Sequence, residues 1–254
     1  MSDLSAFSLE GKRIMVTGAN TGIGQGIAVS IARAGGTVIG VGRSAMDETA
    51  ALVEAEDATF EARSCDLGDH AAAGAMLGRT WSESGPIDGL VNNAGIIRRA
   101  DAMDFSEDDW DAVMGVNLKS LFFLSQAFAR KVTETRRSGR VVNVASMLSF
   151  QGGIRVASYT ASKHGVLGVT RLLACEWAAK GINVNAVAPG YIVTNNTTAL
   201  RADADRNTAI LARIPAGRWG EPSDIGDAVV FLLSKASQYM HGAVVPVDGG
   251  WLAR

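Results

Sequence analysis

The order of apolar segments predicts one doubly wound α/β domain over residues 1–254, a seven-stranded, mostly parallel sheet with helices on both faces. Three observations predict it. Short apolar runs alternate with helical stretches along the whole chain, a glycine cluster joins the first run to the first helix, and no linker-like shift in composition divides the sequence.

Strand-like runs fall at Arg13–Thr17, Thr37–Gly42, Thr59–Arg63, Gly89–Val91, Val141–Ala145, Asn183–Val187 and Ala243–Val247. Several are continuous apolar runs, as strands buried on both faces require. Helical stretches lie between them at Gly22–Ala34, Asp47–Glu56, Asp69–Ser84, Glu107–Thr135, Ser158–Lys180 and Pro222–Ser234. Ser106 before Glu107 reads as a start signal and Gly181 after Lys180 as a stop. Asp47 and Glu48 are expected to cap the second helix. The polar, partly helical stretch 191–220 breaks the rhythm, and a segment of that length is expected to cover a substrate.

The charge balance, 24 Lys+Arg against 26 Asp+Glu, argues against binding nucleic acid by broad attraction. The two cysteines, Cys65 and Cys175, stand far apart, and the three histidines form no pair at helical spacing, so neither a disulfide framework nor a metal site is expected. The uncharged run Ile14–Ala32 carries too many glycines and polar residues for a membrane span. The N-terminal MSDLSAFSLEGKR lacks the basic and apolar regions of a signal peptide, and a cytoplasmic location is expected by elimination. Glycine, 29 of 254 residues, exceeds a typical ~7% without any period, which assigns the excess to turns and close backbone approaches.

The first strand runs into Thr17-Gly18-Ala19-Asn20-Thr21-Gly22-Ile23-Gly24 and a helix follows. Glycines there let backbone N–H groups approach a pyrophosphate at the positive end of the helix. At the end of the second strand, where an acidic residue would bind the adenosine ribose, Gly42 stands instead and Arg43 follows. A guanidinium can clamp a 2′-phosphate, which favours NADP(H); it can equally cover the adenine of NAD(H). Asp66-Leu67 after the third strand and Asn92-Asn93-Ala94-Gly95 after the fourth extend the track along the same sheet edge, Asp66 as a candidate acceptor for the adenine amino group.

Ser146 ends the fifth strand, Tyr159 lies thirteen positions on, and Lys163 four further. Helical spacing brings the phenol and ammonium onto one face, where the cation is expected to lower the tyrosine pKa. Hydride transfer at a carbonyl carbon needs a group that gives or takes the oxygen's proton. Tyr159 is the expected acid/base, Ser146 the donor that positions the oxygen, and Lys163 the tuning charge within reach of the nicotinamide ribose.

Taken in order, T-G-x3-G-I-G at Thr17–Gly24, D-L at Asp66-Leu67, N-N-A-G at Asn92–Gly95, Asn117, Ser146, Y-x-x-x-K at Tyr159–Lys163 and P-G-x-x-x-T at Pro189–Thr194 resemble the short-chain dehydrogenase/reductase family over essentially the whole chain. The resemblance implies a seven-stranded Rossmann sheet and a Ser146–Tyr159–Lys163–Asn117 tetrad, with Asn117 binding a water that links Lys163 to solvent. It implies that the Ile192 backbone and Thr194 hold the carboxamide, with Pro189 and Gly190 also binding the cofactor. It also implies a homotetramer, with the Glu107–Thr135 and Ser158–Lys180 helices pairing between subunits.

Ile97-Arg98-Arg99, Ser146–Arg155, Ile214–Gly220 and Asp248–Arg254 more narrowly resemble the branch acting on deoxy-sugar acids, the 2-deoxy-D-gluconate 3-dehydrogenase and 2-dehydro-3-deoxy-D-gluconate 5-dehydrogenase group. The Gly42-Arg43 pair departs from what an NAD-dedicated member should carry. A sugar acid needs a cation for its carboxylate, expected from Arg98, Arg99 or Arg155, and hydroxyl partners such as Gln151, Ser149 or Asn195. Trp219 and Trp251 are expected in the core or an interface. Gluconate 5-dehydrogenase and 3-oxoacyl-carrier-protein reductase are the alternative enzymes. A dinucleotide-sensing protein without chemistry is the alternative outside catalysis, and it would lack Ser146, Tyr159 or Lys163.

Overall fold

The structure, a computed structural model, describes residues 4–254; the first three residues of the expected domain and N-terminal segment lie outside it. In chain order the strands are β1 (Arg13–Thr17), β2 (Thr37–Gly42), β3 (Phe60–Ser64), β4 (Gly89–Asn92), β5 (Gly139–Val144), β6 (Ile182–Pro189) and β7 (Val244–Val247). The helices are α1 (Gly22–Arg33), α2 (Asp47–Glu54), α3 (His70–Ser84), α4 (Glu107–Met114), α5 (Leu121–Glu134), α6 (Ala157–Trp177), α7 (Thr198–Ala202), α8 (Ala204–Arg213) and α9 (Pro222–Leu233).

The strands form a single sheet in the order β3-β2-β1-β4-β5-β6-β7, every pair parallel. Strand order reverses between β1 and β4, and beyond the C-terminal ends of those strands such a sheet opens a crevice. The two-residue period of the strands divides the core. Ile14, Val16, Val38, Val142 and Val187 point to the layer of α1 and α9, while Met15, Ile39, Val41, Val141 and Val184 point to that of α3, α5 and α6. Fully buried Phe128 of α5 fills the second layer, and such a side chain contributes about 3 kcal/mol by burial.

Local signals set the helix ends. Ser106 Oγ accepts from Asp109 N–H at 3.2 Å, and Asp69 accepts from the N–H groups of Ala71 and Ala72 to start α3. Gly181, at φ 76°, stops the chain after a 3-10 turn that follows α6. Asp47 and Glu48 correct the sequence expectation: Met46 occupies the cap position of α2, and the two acids lie in the first turn, where they complement the helix dipole without a capping bond. The run read as Glu107–Thr135 is interrupted at Gly115–Ser120 by a π-helical segment. Glu107–Glu134 is long and apolar enough to cross a membrane, but Leu124, Phe128 and Val132 pack in the core against the sheet. Ile14–Ala32 is divided between β1 and α1.

Candidate active site

A cleft of about 1140 Å³ lies over the C-terminal edge of the sheet. Its nucleotide end starts at the turn between β1 and α1. Gly18 and Gly22 adopt φ of 67° and 58°, a region that costs other residues strain, and a Cβ at Gly24 would overlap Gly18 O and the Asn93 amide. Thr21 stands at the N-cap of α1 without a side-chain cap bond, which leaves the first N–H groups available to an anion. The residues therefore fit a bound pyrophosphate. Gly18, Asn20, Thr21, Gly22, Ile23 and Gly24 all line the cleft.

The β4 turn holds this loop in place. Thr17 Oγ1 accepts from the N–H groups of Asn93 and Ala94, both at 3.0 Å, and Asn93 Nδ2 donates to Thr17 O at 2.9 Å. Asn93, Ala94 and Gly95 also line the cleft. Asn92 sits inside β4 rather than in the turn, where its Nδ2 donates to Ser125 Oγ and Asn143 Oδ1, each at 2.9 Å. The sequence marks Thr17 only as the head of the glycine turn; its bonds to the β4 turn join segments 76 and 77 positions apart, which spacing along the chain does not reveal.

Beyond β2, Arg43 is exposed and lines the cleft beside Gly42 and Ser44. Asp66 and Leu67 line it too, with Asp66 Oδ1 accepting from Gly68 N–H at 2.8 Å. After β6, Gly190 N–H donates to Val247 O at 3.0 Å, with no room for a Cβ against Asp248. Pro189, Gly190, Ile192 and Thr194 line the same wall. A backbone bridge between Ile192 and Gly220 closes the base of segment 191–220, and the Thr194 side chain lies against Gly22.

The reacting end is assembled by β5 and α6. Ser146 follows β5, and its hydroxyl stands beside the phenol of half-buried Tyr159 in the first turn of α6, near enough to pull the phenol pKa down. Lys163, one turn on, is buried; its Nζ donates to Val144 O at 2.6 Å and lies 5.6 Å from the centre of the Tyr159 ring. Burial raises the Tyr159 pKa above the usual tyrosine value, while the Ser146 hydroxyl and the nearby Arg99 charge pull it down. Burial lowers the Lys163 pKa to about 8. The sequence expectation that Lys163 sets a lowered phenol pKa is corrected here. Desolvation outweighs the groups that lower it, and those groups are Ser146 and Arg99.

Asn117 lies in the π segment and is buried away from the cleft. Its Oδ1 accepts from Ile96 N–H at 2.8 Å, and its Nδ2 donates to Ile96 O at 2.9 Å and Ser162 Oγ at 3.3 Å. Its carboxamide therefore clamps the chain after the β4 turn onto α6. A π insertion cannot be read from a helical period, although such segments recur at functional sites.

The candidate substrate groups divide. Arg98, Arg99, Gln151 and Asn195 line the cleft, but Arg98 Nε is 3.1 Å from Asp109 Oδ1. Arg155 is a correction: it adopts φ 61°, lies outside the lining and pairs with Asp101 at 3.3 Å in solvent. Ser149 is a second, since its hydroxyl donates to Lys163 O at 2.7 Å inside the core. Arg206 and Arg213 of α8 were missed and both line the cleft, with the Arg213 guanidinium 4.0 Å from the centre of the Trp251 ring. Their seven-residue spacing was the available signal, because residues two turns apart share a helical face. Among the described residues, Arg99, Arg206 and Arg213 make no ion pair. Trp219 and Trp251 are buried together with Met147, Ile210 and Ile214, and Trp251 also faces the cleft.

A phosphate-binding turn and a Ser–Tyr–Lys group on one cleft define a dinucleotide-dependent oxidoreductase acting at CH–OH and carbonyl carbons. A family model described as enoyl-(acyl carrier protein) reductase matches residues 18–252. The chain is 57% identical to the 2-dehydro-3-deoxy-D-gluconate 5-dehydrogenase of Escherichia coli K12, covering 99% of each. It is 61% identical, with a TM-score of 0.93 and coverage of 98% of this chain and 99% of the other, to an Agrobacterium tumefaciens crystal structure with bound NADP, provisionally named a 2-deoxy-D-gluconate 3-dehydrogenase. A gluconate 5-dehydrogenase from Burkholderia cenocepacia in complex with NADP and tartrate is 35% identical, with a TM-score of 0.94 over 100% of both chains. The chain belongs to the short-chain dehydrogenase/reductase family.

Proposed function

We propose that this enzyme moves a hydride between NADP(H), with NAD(H) as the weaker cofactor, and a keto/hydroxy deoxy-sugar acid, in the manner of a 2-dehydro-3-deoxy-D-gluconate 5-dehydrogenase. The observation that carries the chemistry is the Tyr159 phenol, beside Ser146 and Lys163 in the cleft that the glycine turn opens. The substrate class rests on the high-identity relative bearing that name and on three unpaired guanidinium groups facing the cleft. In this proposal the carboxylate meets Arg99, Arg206 or Arg213, and Gln151 and Asn195 bind hydroxyls.

When bound, the nicotinamide gives or accepts the hydride at the reacting carbon. Ser146 and Tyr159 hold the carbonyl oxygen by hydrogen bonds. In reduction Tyr159 donates its proton to the oxygen as the alcohol forms; in oxidation the phenolate accepts it. The raised phenol pKa keeps that proton available at neutral pH. Lys163 holds the Val144 carbonyl beneath Ser146 and places a positive charge beside the ring. Asn117 belongs to the proton relay, with its carboxamide fixing the wall through which the relay runs. Segment 191–220, in the single domain 1–254, covers the substrate, and Ile192 and Thr194 face the carboxamide.

The enzyme acts in the cytoplasm as a homotetramer; exposed Trp110, Phe123 and Leu172 give α4, α5 and α6 apolar surface for subunit pairing. A second substrate, gluconate, is supported by the Burkholderia relative. Assaying deoxy-keto-uronate and gluconate acids with NADH and NADPH side by side tests the proposal. Turnover of the deoxy acid with preference for NADPH is expected. Turnover of gluconate alone would replace the substrate, and no turnover of either would overturn the activity.

A further inference from the structure

At the mouth of the nucleotide end, a residue of the turn after β1 and the last residue of β2 compete for one volume. A Cβ built on Gly42 would overlap Oδ1 of Asn20 and lie 2.7 Å from its Cγ. Rotation of the amide could clear that space, but Asn20 Nδ2 donates to Ser44 O at 2.7 Å, Ser44 Oγ at 2.9 Å and Ala45 O at 3.3 Å. Moving it releases the whole turn after β2. Position 42 is where a dinucleotide fold places the carboxylate that receives the ribose 2′-hydroxyl. Because Ser44 Oγ accepts from Asn20, its own proton remains to be given to an anion, and both Ser44 and Arg43 line the cleft.

Resting on the NADP(H) assignment above, we infer that Asn20 and Gly42 form one cofactor-selectivity pair: the Asn20 carboxamide fills the space a ribose-binding acid would need and sets Ser44, beside Arg43, to hold a 2′-phosphate. Selectivity therefore resides in a contact between the phosphate turn and the β2 turn as well as in the arginine. An acid at 42 becomes useful only when residue 20 is shortened.

The test is a double-variant cycle read by fluorescence titration of NADPH and NADH on the full-length protein, with circular dichroism verifying the fold of each variant. Asn20→Ala should weaken NADPH binding several-fold without improving NADH. Gly42→Asp should weaken NADPH and gain no NADH affinity, because the Asn20 carboxamide obstructs it. Asn20→Ala/Gly42→Asp should bind NADH roughly tenfold more tightly than Gly42→Asp alone, a non-additivity of the size that contacting residues show. Should the aspartate variant fail to fold, Gly42→Ala supplies the same cycle, its loss of nucleotide affinity expected to disappear in the Asn20→Ala background. Equal NADH affinity of Gly42→Asp with and without Asn20, additive alanine effects, or unchanged NADPH binding in Asn20→Ala would overturn the pair. A wild-type preference for NADH would refute the NADP(H) assignment alone, since the non-additivity does not depend on it.

Discussion

The Lys163 ammonium donates to the Val144 carbonyl at 2.6 Å while lying 5.6 Å from the centre of the Tyr159 ring. Lys163 thus braces the end of β5, from which Ser146 projects, as well as charging the neighbourhood of the phenol. Its proton is held weakly, with a pKa of about 8 against an ordinary 10.5, because burial disfavours the charged form.

Stability should record that weak hold. Below about pH 8 Lys163 is charged in both folded and unfolded chains, and the full desolvation cost is present. Between about 8 and 10.5 the folded chain binds fewer protons than the unfolded one, so stability contributed through this group rises with pH. Lys163→Met is expected to remove this component. Thermal midpoints of wild type and variant across this range should differ in slope, the wild type gaining relative to the variant as pH rises. Parallel curves would mean that Lys163 is not desolvated.

Arg99 and Ser146 both pull the Tyr159 pKa down against the effect of burial. Arg99→Leu should therefore move the pH limb of kcat/KM for alcohol oxidation to higher pH, since oxidation needs phenolate, and should extend the range over which reduction proceeds. A profile that keeps its midpoint would place the Arg99 charge too far away to act.

The arginines facing the cleft should separate from those that face solvent. Arg213→Leu is expected to raise KM for the sugar acid by roughly tenfold or more, the scale of a lost charge-assisted hydrogen bond. Arg155→Leu, which removes a solvent-exposed pair with Asp101, should change KM little. Steady-state kinetics of the two variants check this, and the reverse ranking would restore Arg155 to the substrate site.

Much of the fold and nucleotide end is legible in the sequence because each depends on local chemistry. Glycines mark the turn after β1, apolar runs mark buried parallel strands, and the Tyr159–Lys163 spacing marks one helical face. What stays hidden is non-local. Arg155 and Arg213 look alike as letters, and only the left-handed turn at Arg155 and the packing of α8 against Trp251 decide which one meets the cleft. The π segment around Asn117 adds no recognisable pattern, because a stretch of six residues is too short for its wider turn to be read from the apolar spacing. The pKa balance at Tyr159 escapes for a similar reason: spacing identifies a neighbouring cation but says nothing of how deeply both groups are buried.

The most direct measurement is on Tyr159→Phe, with consumption of reduced nicotinamide followed by absorbance in the presence of the deoxy-keto acid and NADPH affinity titrated in parallel. Loss of turnover by roughly a hundredfold or more, the usual contribution of a positioned acid, with NADPH affinity close to wild type, is the expected result. Turnover near the wild-type rate would contradict the assignment of the phenol as the proton donor.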